Sequence, residues 1–251
     1  MNSKMFKLLS TTAAAAVVAF SAAPAAAAPV SVLAYKLGVN ASGGEKVNAA
    51  SGWLNLGGFN EDDAASQSLT NARQDYKNSL VDSSWSDVLS VEVAMFSQGN
   101  KVSSITFKTG AGSTKSNFYA AANVTSTSYT DTLGNLFFQI DGSGNYNRNW
   151  FIQSGYGGCG NDTGHWAVLD QAYACGWEST RLSAQGRAFL YSTGTTATNW
   201  ESGSVGSADV FAVYVTVDRQ SNDLPEPASL ALVGASLAGL GLARKRARKQ
   251  A

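Results

Sequence analysis

Short apolar runs alternate along this chain with clusters of Gly, Asn, Asp and Ser. In "VLSVEVAMFS", residues 88–97, Val91, Val93 and Met95 alternate with Glu92, Ala94 and Phe96. That period of two predicts a strand with one apolar and one mixed face. "VFAVYVTV", residues 210–217, is apolar at almost every position and predicts a central strand covered on both sides. Comparable runs predict further strands over 31–37, 102–109, 117–124, 136–140, 150–153, 166–170 and 187–191, and extend the last one to 209–217. "SQGN" at 97–100, "TGAGS" at 109–113 and "DGSGN" at 141–145 are turn chemistry. One stretch breaks the rhythm: Leu69, Ala72, Tyr76 and Leu80 share a helical face, which predicts a short helix or helical turn over 68–80. About nine strands without an internal repeat or linker predict a single all-β domain, a jelly-roll-like β-sandwich over 28–217.

The two ends follow other rules. Lys4 and Lys7 precede an apolar, Ala-rich run over 8–20 and a small-residue stretch over 21–28. This is the layout of a secretory signal peptide, 1–27, with cleavage by signal peptidase after Ala27. At the other end, 218–224 is a polar hinge, and Pro225-Glu226-Pro227 opens a segment that runs to residue 251. Residues 228–243, "ASLALVGASLAGLGLA", carry no charge. As a helix they span about 24 Å, slightly less than the ~30 Å hydrocarbon core. The shortfall is one that flanking basic side chains and local bilayer thinning can absorb. Arg244, Lys245 and Arg246 follow directly and set the C-terminus on the cytoplasmic side of the inner membrane, with the body outside.

Pro-Glu-Pro, an apolar helix and a basic cluster, in that order and spacing, resemble the PEP-CTERM sorting signal of Gram-negative bacteria. The resemblance implies export, transient anchoring in the inner membrane, and processing near Pro225-Glu226-Pro227 by a membrane-embedded exosortase. It also implies a final place at the cell surface or in extracellular polysaccharide, as in biofilm-forming species. The six residues Pro225, Glu226, Pro227, Arg244, Lys245 and Arg246 would be substrate for another enzyme, with no catalytic part of their own.

Charge sharpens the picture of the body. The whole chain is neutral, but residues 28–224 hold 11 basic against 17 acidic residues, a net of −6. An acidic body argues against a nucleic-acid partner, which needs a basic face to neutralise phosphates. Two cysteines, Cys159 and Cys175, stand sixteen positions apart in an exported body, where one intramolecular disulfide is the expectation.

Candidate chemistry concentrates in 149–178, which holds both cysteines, the single histidine and three of the six tryptophans. One reading makes this a glycan site. Trp150, Trp166 and Trp177 would stack on pyranose rings, while Asn161, Asp162, His165 and Asp170 meet the hydroxyls. The other reading has the disulfide staple a long loop while the same tryptophans fill the sandwich. Nucleophilic catalysis is not expected. No Gly-x-Ser-x-Gly occurs, one histidine cannot make a His-Glu-x-x-His site, and no phosphate-cradling loop or other cofactor motif is present. A polysaccharide hydrolase needs only two carboxylates and stays a third possibility. Asp141, Ser143 and Asn145 space oxygen atoms like a calcium loop, but Tyr146 stands where the sharp turn wants Gly. The sequence therefore predicts a structural or adhesive protein of the surface matrix, with a glycan-binding module as the alternative.

Overall fold

A computed structural model of the chain describes residues 28–131, 136–142, 148–155 and 158–218. The expected signal peptide 1–27, the hinge from residue 219, the whole sorting segment with its helix 228–243, and Ser143 and Asn145 lie outside the described residues.

Among those residues the chain forms β1 (Val30–Gly38), α1 (Ala49–Leu54), β2 (Tyr76–Lys77), β3 (Val88–Ser97), β4 (Asn100–Lys108) and β5 (Val124–Thr127). It continues with β6 (Phe137–Gln139), β7 (Arg148–Gly155), β8 (Thr163–Leu169), α2 (Gly176–Arg181) and β9 (Ala188–Ser192). Last come β10 (Thr198–Asn199), β11 (Val205–Ala208) and β12 (Val210–Val217). The strands build two six-stranded sheets. One has the order β2-β1-β12-β3-β4-β5, and the other β11-β9-β8-β7-β6 with β10 beside β8. The registered pairs are antiparallel. The protein is all-β, as its alternation predicts.

β12 earns its apolar sequence by position. It lies between β1 and β3, with Val213 opposite both Tyr35 and Val93. Val213 and Val215 face the space between the sheets, while Ala212 faces outward under a second layer. One residue, Asp209, separates β11 in one sheet from β12 in the other. Its N–H donates to Phe96 O and its carbonyl accepts from Val39 N, which fixes that corner.

The main core fills the space between the sheets. Val93, Met95, Ile105 and Phe211 from the first meet Trp150, Trp166, Val168 and Phe189 from the second. Trp150 centres an aromatic cluster with Trp53, Tyr119 and Phe211, at centroid separations of 5.4, 5.4 and 5.0 Å. Edge-on and tilted contacts at this range add to the large area each ring removes from water. Trp150 has φ +46°, a strained backbone for a bulky residue. A break in the β7–β8 register, between Asn149 and Ile152, accompanies it. Both outer faces are covered as well. Phe151, Ala167, Leu169 and Leu190 lie beneath the disulfide region, and Ala94, Phe96 and Val210 beneath Leu69 and Ala72.

Two expectations give way. The predicted helix over 68–80 is a string of turns, a two-residue strand at Tyr76–Lys77, and a 3-10 turn at Ser79–Asp82. Local side-chain bonds capture this backbone: Arg73 N donates to Asn71 Oδ1, and Asn71 Nδ2 to Ala65 O. The ammonium of Lys36 takes the carbonyls of Ser68 and Asn71 at 3.1 and 2.7 Å, acceptors that a helix would need. The predicted strand over 117–124 fails for another reason. Phe118 and Tyr119 are consecutive, and both are buried in the same core. A strand would send them to opposite faces. The chain makes a 3-10 turn at Ala121–Asn123 instead, and pairing resumes at Val124.

Candidate functional site

The region 149–178 is organised by a strap. The β7–β8 connection and the β8–β9 connection leave opposite ends of β8, about 20 Å apart for seven residues. Cys159 on the first and Cys175 on the second are nevertheless joined, with Cα atoms 5.2 Å apart. The two connections therefore close over the outer face of the second sheet.

A buried ion cluster lies under the strap. Arg148, at the start of β7, reaches Glu178 through Nε at 2.7 Å and Asp162 at 2.8 Å. Its guanidinium sits 4.6 Å from the centre of the Trp177 ring, which stacks on Trp200 at 5.8 Å. The second Glu178 oxygen accepts from the N–H groups of Tyr173, Ala174 and Cys175, at 2.8, 3.0 and 3.2 Å. Two carboxylates face one cation, and these three N–H dipoles offset the extra negative charge.

A second cluster ties the sheets together. Arg187 holds both oxygens of Asp75, at 2.8 and 2.9 Å, and Asp170 at 3.0 Å. It also donates to the carbonyls of Gly38 and Val47. Asp75 accepts from the N–H groups of Gly38 and Val47, each at 2.9 Å. Burial works against the Arg187 charge, but Asp75 and Asp170 overcome it and raise its pKa. Sequence reading did not single out Arg148, Arg187, Asp75 or Glu178. Asp75 and Arg187 are 112 positions apart, and no local pattern marks either.

The residues expected to meet a sugar are placed as follows. Trp150, Trp166 and Trp177 are all buried. Stacking needs an open ring face, and these rings pack on protein: Trp150 and Trp166 between the sheets, Trp177 under the strap. Trp150 Nε1 donates to Ala49 O at 3.0 Å, and Trp166 Nε1 to Ser103 Oγ and Tyr129 Oη at 2.9 and 2.8 Å. Asp162 is buried against Arg148. Asp170 accepts from Ala49 N, Asn149 Nδ2 and Arg187. Asn161 is exposed. Asp141 is exposed too, next to Gly142, whose N–H points to Asn149 Oδ1 at 3.4 Å. No group of three His, Cys, Asp or Glu side chains among the described residues could hold a metal ion.

His165 is buried, with Nε2 at 2.8 Å from both oxygens of Asp131. Burial lowers its pKa, against the pull of Asp131. A His–carboxylate pair is half of a nucleophile-activating arrangement. Among the described residues, Nδ1 has no hydrogen-bond partner, so no hydroxyl completes it.

Among the described residues, Arg148 and Arg187 each centre a buried ion cluster, and the recognisable sequence signal lies in the tail. Residues 223–246 match the PEP-CTERM protein-sorting motif. The PEP-CTERM match contains Pro225, Glu226, Pro227, Arg244, Lys245 and Arg246, and lies wholly outside the described residues. No curated protein and no solved structure matches the chain. Among the described residues no helix is long and apolar enough to cross a membrane.

Proposed function

We propose that the chain is an exported protein of the cell envelope, anchored through 228–243 until an exosortase acts near Pro225-Glu226-Pro227. The body then serves a structural or adhesive role in a surface polysaccharide matrix. The PEP-CTERM match over 223–246 carries this reading. The signal-peptide layout of 1–27 supports it, as does a disulfide, which belongs to an oxidising compartment. The net acidic body fits a partner other than nucleic acid. Two buried arginines, Arg148 and Arg187, each paired with two carboxylates, suit a durable module. The jelly-roll-like part of the reading is supported by the passage of the chain from β11 in the second sheet to β12, between β1 and β3 of the first. Cell fractionation with and without the exosortase tests the sorting step. The protein should leave the membrane fraction only where the enzyme is present, and an identical distribution in both strains would defeat the proposal.

Glycan binding is the second reading, and one observation favours it. Tyr173 on the strap is 56 % exposed and adjoins the Cys175 turn, so the strap presents an aromatic ring where the buried tryptophans do not. Affinity electrophoresis through the strain's own polysaccharide should show retardation that Tyr173→Ala removes. Equal mobility in gels with and without polysaccharide would rule this reading out.

A further inference from the structure

The single histidine of the chain sits where two connections meet. Residues 128–131 follow β5 on the way to β6, and 193–197 join β9 to β10. His165 on β8 is enclosed beside both, with Nε2 2.8 Å from each oxygen of Asp131. The same carboxylate accepts from Ala197 N at 2.9 Å, so one aspartate holds the ring and the loop together. Thr130 adds a second tie, its N–H and hydroxyl donating to Thr195 O at 2.7 and 3.2 Å. Tyr129 is the fixed end. Its hydroxyl meets Ser103 Oγ, Trp166 Nε1 and His165 O, and its ring lies edge-on to the imidazole at 4.4 Å. Beyond it the cover is thin, with Thr130 and residues 193–196 exposed and the Asp131 side chain 27 % exposed.

We infer that Asp131 and His165 form an acid-sensitive latch, which lets go of the 193–197 loop when the ring takes up a proton. A carboxylate only accepts, so Nε2 carries the hydrogen of the neutral ring and Nδ1 is its bare nitrogen. Among the described residues, Nδ1 has no hydrogen-bond partner. A proton added there makes a buried cation whose new N–H meets no acceptor, and both features cost free energy. Among the described residues, the titratable groups facing the ring are Asp131, which favours the cation, and the phenol of Tyr129. Arg148 and Arg187, on or beside the flanking strands, lie at the far end of β8, by Leu169. Burial outweighs the pull of Asp131. The least costly state in which the ring reaches water lifts Asp131 and the loop away from it. That movement breaks the ties of Thr130 and Ala197, and leaves Tyr129 and the inter-sheet core in place. By linkage the open state, with His165 near its ordinary value of 6.5, gains population as pH falls below that value. The latch is closed at neutral pH and loosened in acid, as a local opening short of unfolding.

The test follows hydrogen exchange by mass spectrometry in the full-length protein, held in mild detergent with its disulfide intact. The range is about pH 7.5 to about pH 5, with rates corrected for intrinsic pH dependence. Opening over 193–199 should increase by up to about tenfold per pH unit below 6.5, while 210–217 in β12 stays protected. His165→Gln should remove the pH dependence, and Asp131→Ala should leave the loop open at neutral pH. With one histidine in the chain, a single imidazole proton resonance reports the titration in the wild type, and its midpoint should lie below 6.5. Protection over 193–199 that does not change with pH overturns the latch, as does a rise that survives in His165→Gln. A midpoint above 6.5 with the loop still protected also overturns it, since the ring would then be charged in place as an ion pair.

Discussion

The two sheets each have an outer face to keep dry, and they do so differently. Over the second sheet, a disulfide, a buried arginine and a short helix hold the cover in place. Over the first, Leu69 and Ala72 are held down by loop hydrogen bonds and by Lys36, whose ammonium grips two carbonyls. The contrast shows how an export-bound sandwich can finish its packing without long helices. One cover is locked by a covalent bond and charge pairing, the other by polar contacts that can open separately. Local openings of low free energy are expected on the Lys36 side first.

The largest effect should come from removing the cation under the strap. Arg148→Ala leaves Asp162 and Glu178 buried without their partner, and such losses cost about 3–5 kcal/mol. Thermal unfolding should show a large drop in Tm, and Arg148→Lys should recover only part of it, since one ammonium cannot reproduce the paired geometry. Breaking the disulfide with Cys159→Ser and Cys175→Ser together should cost about 3 kcal/mol, for a closed loop of this length. Urea titration would measure it, and the inter-sheet core should keep its near-ultraviolet aromatic signal.

Lys36→Met should cost less, about 1–3 kcal/mol for two carbonyls left unpaired, and should speed limited proteolysis within 60–75 while sparing the strap. Its pH signature sharpens the comparison. Burial holds the Lys36 pKa down to about 8, against the pull of Asp75 and Asp63. Between that value and the ordinary 10.5, the unfolded chain binds the proton more tightly than the folded one. The Lys36 contribution to stability therefore rises from pH 8 to 10.5. Wild type minus Lys36→Met should show that rise; a flat difference would mean the ammonium is not desolvated as described. The smallest effect belongs to His165. Its pKa is lowered by burial, so its contribution is present above pH 6.5 and declines as the unfolded chain takes up a proton below that value. His165→Gln should flatten this acid-side slope.

What could be read from the chain follows the range of the interactions involved. β3 and β12 were legible because alternation and continuous apolarity are local, and the structure places them at 88–97 and 210–217. The tail was legible because its signal is linear: order and spacing suffice. The helices α1 and α2 escaped because six residues are too few to show a period. The apparent helix over 68–80 misled because, beside the local bonds of Asn71, Lys36 takes two of its carbonyls from 32 and 35 positions away. The aromatic richness of 149–178 was equally plain, but composition does not say which way a ring faces. Trp150 and Trp166 turn out to be core, and the ion cluster of Arg148, Asp162 and Glu178 joins residues inside and beside the region that no periodic pattern marks.

Intact-mass spectrometry of the exported protein, from strains with and without the exosortase, tests the central claim most directly. With the enzyme, the product should begin at Ala28, end close to Pro225–Pro227, and weigh two hydrogens less than its reduced form. Without the enzyme, the apolar and basic residues 228–251 should remain attached. A product that keeps residue 251 in both strains would contradict the account.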